Sequence, residues 1–189
     1  MAKNISEKIV ENNPAGPLTQ NGAKKIKAPE ASEIVEKFLA EGLANFDYES
    51  LKPKIADSDI NISANASLEN IEKYVKEFLA LTFKPLSGRA EQVADSSDPT
   101  NAVFSLILVY EERMNEFLAL EVPKILAPLH KKHLALLGAN KKIFELINEY
   151  DNDPLTSVLA LNALNLIRAE SVDIYRDIAR VVIENKIKL

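Results

Sequence analysis

The sequence predicts an all-α protein, an up-and-down antiparallel bundle of four main helices with a short N-terminal helix. Apolar residues recur at steps of three and four in most segments after residue 31. No segment shows the alternating pattern of a half-buried strand. The links at 122–123 and 151–153 are short, so successive long helices are expected to lie antiparallel.

The first thirty residues have a different character from the rest of the chain. Asn, Pro and Gly interrupt any regular element at residues 12–17 and 20–22. The segment also has too little apolar surface to offset the entropy lost on ordering. We therefore expect a disordered tail or linker over residues 1–30 and a helical bundle domain over residues 31–189.

Two helices are predicted in the first half of the domain. Ser32 is placed to cap the first, whose apolar side chains follow at helical spacing. Residues 45–63 are expected to form irregular turns and connections, with 58–63 too short and polar for more. Ser67 is placed to cap the second helix, which ends near Pro85. Its apolar stripe comprises Leu68, Ile71, Val75, Phe78, Leu79 and Thr82.

Three longer helices are predicted in the second half. A proline alone separates the first of them from the second. Asp-Pro pairs at 98–99 and 153–154 place a capping acid before a proline suited to the first helical position. Pro123 is expected to end the first long helix, because it lacks an amide donor. The next helix is predicted over residues 124–150. The last has the spacing of a bundle seam at Leu164, Ile167, Ser171, Ile174, Ile178 and Val181.

Composition excludes several classes of function. The 189 residues include no cysteine, so disulfides, thiolate catalysis and cysteine-ligated metal sites are absent. The net charge of −5 disfavours an electrostatically driven nucleic-acid binder, although Lys131, Lys132, Lys141 and Lys142 form a modest basic stripe. The sequence has five glycines and no tryptophan, so few of its residues are suited to phosphate-binding loops. We expect no nucleic-acid partner.

Two histidines are spaced to share a metal ion. His130 and His133 lie three residues apart, so they share a helix face. However, Ala127 stands where the Glu-x-x-His motif of di-iron bundles needs a glutamate. Lys131 and Lys132 would also repel a cation. The sequence favours a solvated helix face for both histidines and leaves metal binding as an alternative.

Acidic residues suggest one further ion site. Asp57, Asp59 and Asn61 match the opening of a calcium loop, but Ile62 replaces the required glycine and Leu68 the bidentate glutamate. An ordinary polar loop is favoured, and ion binding stays open. A solvated face is the interpretation for the carboxylates on the first long helix and just after it, Glu111, Glu112, Glu116 and Glu121. The sequence thus predicts a non-enzyme with no catalytic, cofactor-binding or metal-binding residue and no cofactor.

Short motifs spread over residues 32–185 carry a resemblance to a known group. They are Phe-Asp-Tyr-Glu-Ser-Leu at 46–51, Asp-Ile-Asn-Ile at 59–62, Val-Pro at 122–123, Leu-His-Lys-Lys-His-Leu at 129–134 and Asp-Pro-Leu at 153–155. With these features the chain resembles helical envelope-associated proteins of candidate-phyla (ultra-small) bacteria. The resemblance implies an exported, anchored bundle associated with surface-appendage or secretion machinery.

The location and function expected from the sequence follow from these points. The absence of cysteine fits an oxidising space, and cytoplasmic location is the alternative. No apolar run reaches the 18–20 or so residues of a membrane span, so membrane contact is expected only through a segment outside this sequence. We expect a structural or protein-interaction module, exported and tethered at the cell envelope, with an unidentified protein partner. The alternative is a ligand- or metal-binding helical bundle.

Overall fold

The computed structural model describes residues 9–14, 16, 18–20, 23–25, 31–85 and 99–188. These residues are mostly helical, which confirms the fold class at that level. The chain divides into two compact units, Met1–Phe46 and Asp47–Leu189.

The first unit contains a short hairpin and one long helix. Strands β1 (Leu18–Gln20) and β2 (Ala23–Lys25) pair antiparallel, within the range that the sequence assigns to a tail. Helix α1 (Ala31–Asn45) follows. Because α1 begins at Ala31, the prediction that Ser32 caps this helix is wrong, and Ser32 lies inside its first turn.

The second unit contains a parallel strand pair that the sequence did not predict. Two 3-10 turns, Tyr48–Leu51 and Asp57–Asp59, lead into strand β3 (Asn61–Ser63). It pairs in parallel with β4 (Glu121–Pro123). The prediction that residues 58–63 form only a connection is therefore wrong. A three-residue strand has no periodicity to detect, and its partner lies far away in sequence.

Four helices make up most of the second unit: α2 (Leu68–Phe83), α3 (Pro99–Leu118), α4 (Ala127–Asn148) and α5 (Pro154–Glu184). A 3-10 turn, Lys124–Leu126, precedes α4. Among the described residues, no helix is both long enough and apolar enough to cross a membrane.

The predicted boundaries of these helices are confirmed in part. Ser67 Oγ accepts from the amide of Asn70 at 3.3 Å and Asp153 Oδ1 accepts from the amide of Thr156 at 3.0 Å, so both predicted caps are present. The predicted cap Asp98 lies outside the described residues. Helix α3 ends at Leu118, before the expected stop at Pro123, which instead belongs to β4.

Residue pairs along the helices give their directions. Glu111 meets Lys141, and Phe117 meets His133, so the chain direction of α3 is opposite to that of α4. Helices α4 and α5 also pack side by side. In contrast, α2 runs in the same direction as α4.

The core lies between these helices. The predicted bundle seam of the last helix faces the core, since Ile167, Ile174 and Ile178 are buried. The largest fully buried apolar side chains on the other helices are Tyr74, Phe78, Phe117, Leu134, Leu136 and Ile143. Burying each such side chain stabilises the fold by about 1.5–3 kcal/mol.

A glycine inside α4 allows a loop to lie directly on this helix. A Cβ atom at Gly138 would stand 2.4 Å from Cγ and 2.8 Å from Cδ of Pro53. The proline ring is rigid, so it cannot turn away. The segment between the two 3-10 turns therefore packs against α4 only because residue 138 has no side chain.

We expect Gly138→Ala to lower the free energy of unfolding by about 1–3 kcal/mol, because overpacking outweighs the better helix propensity of alanine. Denaturant unfolding measures the loss. Pro53→Ala in the Gly138→Ala background removes the clashing ring atoms and should restore much of the stability. If the single variant is more stable than the wild type, the close packing is not a constraint.

Candidate functional site

The two histidines of α4 are buried, so the prediction of a solvated helix face for them is wrong. His130 is 0% exposed and His133 is 6% exposed. They lie on the side of α4 that carries Leu134 and Leu137, and this side packs against α2 and α3. The four-three-four spacing of Leu126, His130, His133 and Leu137 was the signal in the sequence.

Five rings from three helices form what we call the aromatic–histidine cluster: Tyr74 and Phe78 of α2, Phe117 of α3, and His130 and His133 of α4. His133 lies between two phenylalanines, with ring centroids 4.8 Å from Phe78 and 4.4 Å from Phe117. His130 meets Tyr74 edge-on at 5.7 Å. The cluster therefore joins α2, α3 and α4.

One hydrogen bond orients the cluster. Tyr74 Oη lies 2.9 Å from His130 Nδ1, and the histidine tautomer decides which atom donates. Nε2 of His130 and Nε2 of His133 are buried and have no hydrogen-bond partner among the described residues. Aromatic ring faces are weak acceptors, and the T-shaped contact with Phe117 is compatible with such an interaction for His133.

Both imidazoles are neutral at neutral pH. Burial lowers the pKa of His130 from 6.5 to about 4, which the nearby Phe117 backbone opposes only in part. The pKa of His133 is lowered to about 3, mainly by burial and in smaller part by the charge that His130 would carry. Neutral imidazole is the form that binds metals. However, no group of three or more His, Cys, Asp or Glu side chains suited to a metal occurs among the described residues.

A cavity of about 170 Å³ lies beside the cluster, and His133 and Phe117 form part of its wall. Most of the remaining wall is apolar, from Leu106, Val109 and Leu137. Tyr110 adds a further ring, which stacks on Phe144 with centroids 5.6 Å apart. The other two lining residues, Thr82 and Arg113, are polar.

Arg113 ties the end of α2 to α3. Its guanidinium donates to the carbonyl oxygens of Leu81 at 2.6 Å and Lys84 at 3.0 Å, the orphan acceptors at a helix C-terminus. It also donates to Glu116 Oε2 at 3.0 Å. Glu116 also pairs with Lys84, so two cationic side chains share this carboxylate beside the cavity.

A second feature is the outer face of α5. Leu161, Val172, Tyr175 and Ile183 are exposed, at 54%, 50%, 41% and 74%. At about 100° per residue these four positions fall within an arc of about 80° on one side of the helix. They form what we call the α5 apolar stripe, in which the exposed Asn165 and Arg168 share the same arc between Leu161 and Val172.

The other residues considered from the sequence have local partners. Asp57 pairs with Lys131, and Asp59 Oδ2 accepts from the amide of Ala56 at 2.8 Å, whereas Asn61 belongs to β3. Carboxylates also pair with part of the predicted basic stripe, since Lys141 meets Glu111 at 2.9 Å. Glu111 and Glu112 are exposed and Glu116 and Glu121 are half-buried.

Comparison with protein-family models, with curated proteins and with solved structures finds no match to this chain. The site must be interpreted from its own geometry.

We expect acid to destabilise the protein through the two histidines. Their pKa values are lowered by folding, so this stability is fully present above about pH 6.5 and is lost as the pH falls toward 4. Near pH 5 the unfolded chain binds two protons that the folded chain excludes, which corresponds to a slope of ~2.7 kcal/mol per pH unit. Denaturant unfolding at pH 7, 6 and 5 measures this slope.

A control separates the histidines from other acid-sensitive groups. The charged or titratable residues that face them are Tyr74 from α2 and Arg113 from α3, and burial raises the pKa of Tyr74, so its hydroxyl stays protonated in this range. Replacing the hydrogen-bonded pair together, with Tyr74→Phe and His130→Leu, should halve the slope. An unchanged slope would show that His130 is not held neutral.

We also expect Tyr74→Phe to destabilise the fold by about 1–3 kcal/mol, since it leaves His130 Nδ1 buried without a partner. Tyr150→Phe is the matched control, because Tyr150 is exposed. In the His130→Leu background the cost of Tyr74→Phe should largely disappear. Equal costs in both backgrounds would contradict the coupling.

Proposed function

We propose that this protein is a non-enzymatic protein-interaction module in which an up-and-down helical bundle presents α5 to a partner protein. The observation that carries the proposal is the α5 apolar stripe. Single exposed apolar side chains are common on protein surfaces, whereas contacts between amphipathic helices use apolar anchors that share one side of a helix.

The dimensions of the stripe suit a partner helix. Leu161 and Ile183 are 22 positions apart, which corresponds to about 33 Å along α5. An amphipathic helix can lay its apolar face along such a row, using anchors at helical spacing. A partner of this kind supplies the apolar contact area on which recognition depends.

The inner side of α5 supports this role. Ile167, Ile174 and Ile178 are packed in the core, so the helix that carries the stripe is held in place before any partner arrives. A preorganised surface loses less conformational entropy on binding than a flexible segment. The bundle is thus a scaffold that keeps the stripe straight.

We extend the proposal to location: the module works outside the cytoplasm, tethered at the cell envelope. The absence of cysteine and the resemblance to envelope-associated proteins support this. Protease treatment of intact cells of the source organism, followed by immunoblotting, tests it. Protection of the protein in intact cells and digestion only after full lysis would favour the cytoplasm.

Ligand binding is a second candidate function. It is favoured by one specific observation, a buried histidine with an unpartnered Nε2 beside a cavity. A metal is the weaker form of this alternative, because the described residues supply only two histidines and no third ligand at the cluster.

The interaction function predicts where a partner crosslinks. A photo-crosslinking amino acid at position 172, introduced in the source organism, should yield a discrete adduct with one protein. Leu166 provides the matched control, since it is 52% exposed and lies about 120° around the helix from Val172. The same amino acid at position 166 should give little adduct.

Substitutions complete this test. Leu161→Ser should reduce the adduct formed from position 172 several-fold, whereas Leu166→Ser should not. Exposed substitutions of this kind change stability by only about 0.5 kcal/mol, so thermal unfolding should be nearly unaffected in both. Equal adducts from positions 166 and 172, or none from either, would overturn the proposed role of the stripe.

A further inference from the structure

The cavity beside the aromatic–histidine cluster has the size and lining of a site for one small ring. Its volume is about 170 Å³. Apolar cavities of about 150 Å³ stay dry and accept a benzene-sized molecule. The side chains of Tyr110 and Phe117 provide ring contacts, and Leu106, Val109 and Leu137 provide aliphatic ones.

The polar residues at the cavity show which charge a ligand can have. The guanidinium of Arg113 already donates to Glu116 and to two backbone carbonyls, so a ligand carboxylate would have to compete with these contacts for its donors. Its positive charge also disfavours a cation. A ligand of this cavity is therefore neutral.

The hydrogen-bonding groups at the cavity limit the chemical class of the ligand further. Thr82 Oγ1 donates to the carbonyl of Phe78 at 2.8 Å, so it can only accept from a ligand. His133 is more than nine-tenths buried, and its Nε2 has no partner. A hydroxyl both donates and accepts, so it satisfies Nε2 in either tautomer of the imidazole.

We propose that this cavity binds a neutral monocyclic aromatic alcohol of the phenol class, with the ring among the apolar walls and the hydroxyl bonded to His133. The proposal deepens the second candidate function, ligand binding, and is independent of the α5 apolar stripe. Nε2 is covered in the structure, so the proposal requires the imidazole to turn toward the cavity when the hydroxyl binds.

The test uses the full chain at pH 7 with four probes: phenol, toluene, benzoate and 2-naphthol. Isothermal titration calorimetry should show one phenol site, with phenol bound about tenfold more tightly than toluene because only phenol satisfies the buried nitrogen. Benzoate should fail because of its charge, and 2-naphthol because of its size. The NMR signals of the His133 ring should shift with phenol.

Four variants locate the site. Leu106→Phe fills the cavity and should abolish phenol binding, and Val109→Phe serves the same purpose if the first variant does not fold. Leu166→Phe, on the exposed surface of α5, should bind phenol as the wild type does. His133→Leu should still bind toluene but lose the preference for phenol.

The outcomes distinguish failure of the binding site from failure of the proposed ligand class. No binding of phenol or toluene, or phenol binding that survives Leu106→Phe, overturns the site and the ligand-binding function with it. Equal affinity for phenol and toluene, or a preference for benzoate or 2-naphthol, overturns the phenol class but leaves a ligand-binding function. Crosslinking from position 172 is unaffected by any of these results.

Discussion

The packing of the second unit depends on two imidazoles that must stay uncharged. His130 and His133 lie at the contact of α2, α3 and α4, where a charge would have to be desolvated among aromatic rings. The Tyr74 hydroxyl provides a partner for one of the four ring nitrogens. The cluster therefore specifies how three helices meet, and it makes that contact sensitive to protons.

The proposed ligand site uses the same constraint. His133 belongs both to the core cluster and to the wall of the cavity, and Arg113 closes the end of α2 beside it. Because the histidine is neutral and the arginine donors are engaged by Glu116 and two backbone carbonyls, the cavity offers a ligand hydrogen-bonding groups rather than a free charge. The packing of the three helices and the preference for a neutral ligand thus both follow from the cost of burying a charge at this place.

Two sides of helix α5 have different surroundings. One of its sides contributes isoleucines to the core, and another carries the α5 apolar stripe. A helix that is apolar on more than one side usually has more than one partner. The proposed interaction surface and the cavity lie near each other at one point, because Tyr175 of the stripe interacts electrostatically with Tyr110, which lines the cavity.

Local chemistry in the sequence was sufficient to predict the helices, the caps at Ser67 and Asp153, and the buried seam of α5. Each depends on residues a few positions apart, where spacing decides what shares a face. The pairing of β3 with β4, the contact of Pro53 with Gly138, and the cavity depend on residues far apart in sequence. The prediction of a solvated helix face for His130 and His133 was wrong, because rings that α2 and α3 bring in from distant parts of the sequence bury both side chains.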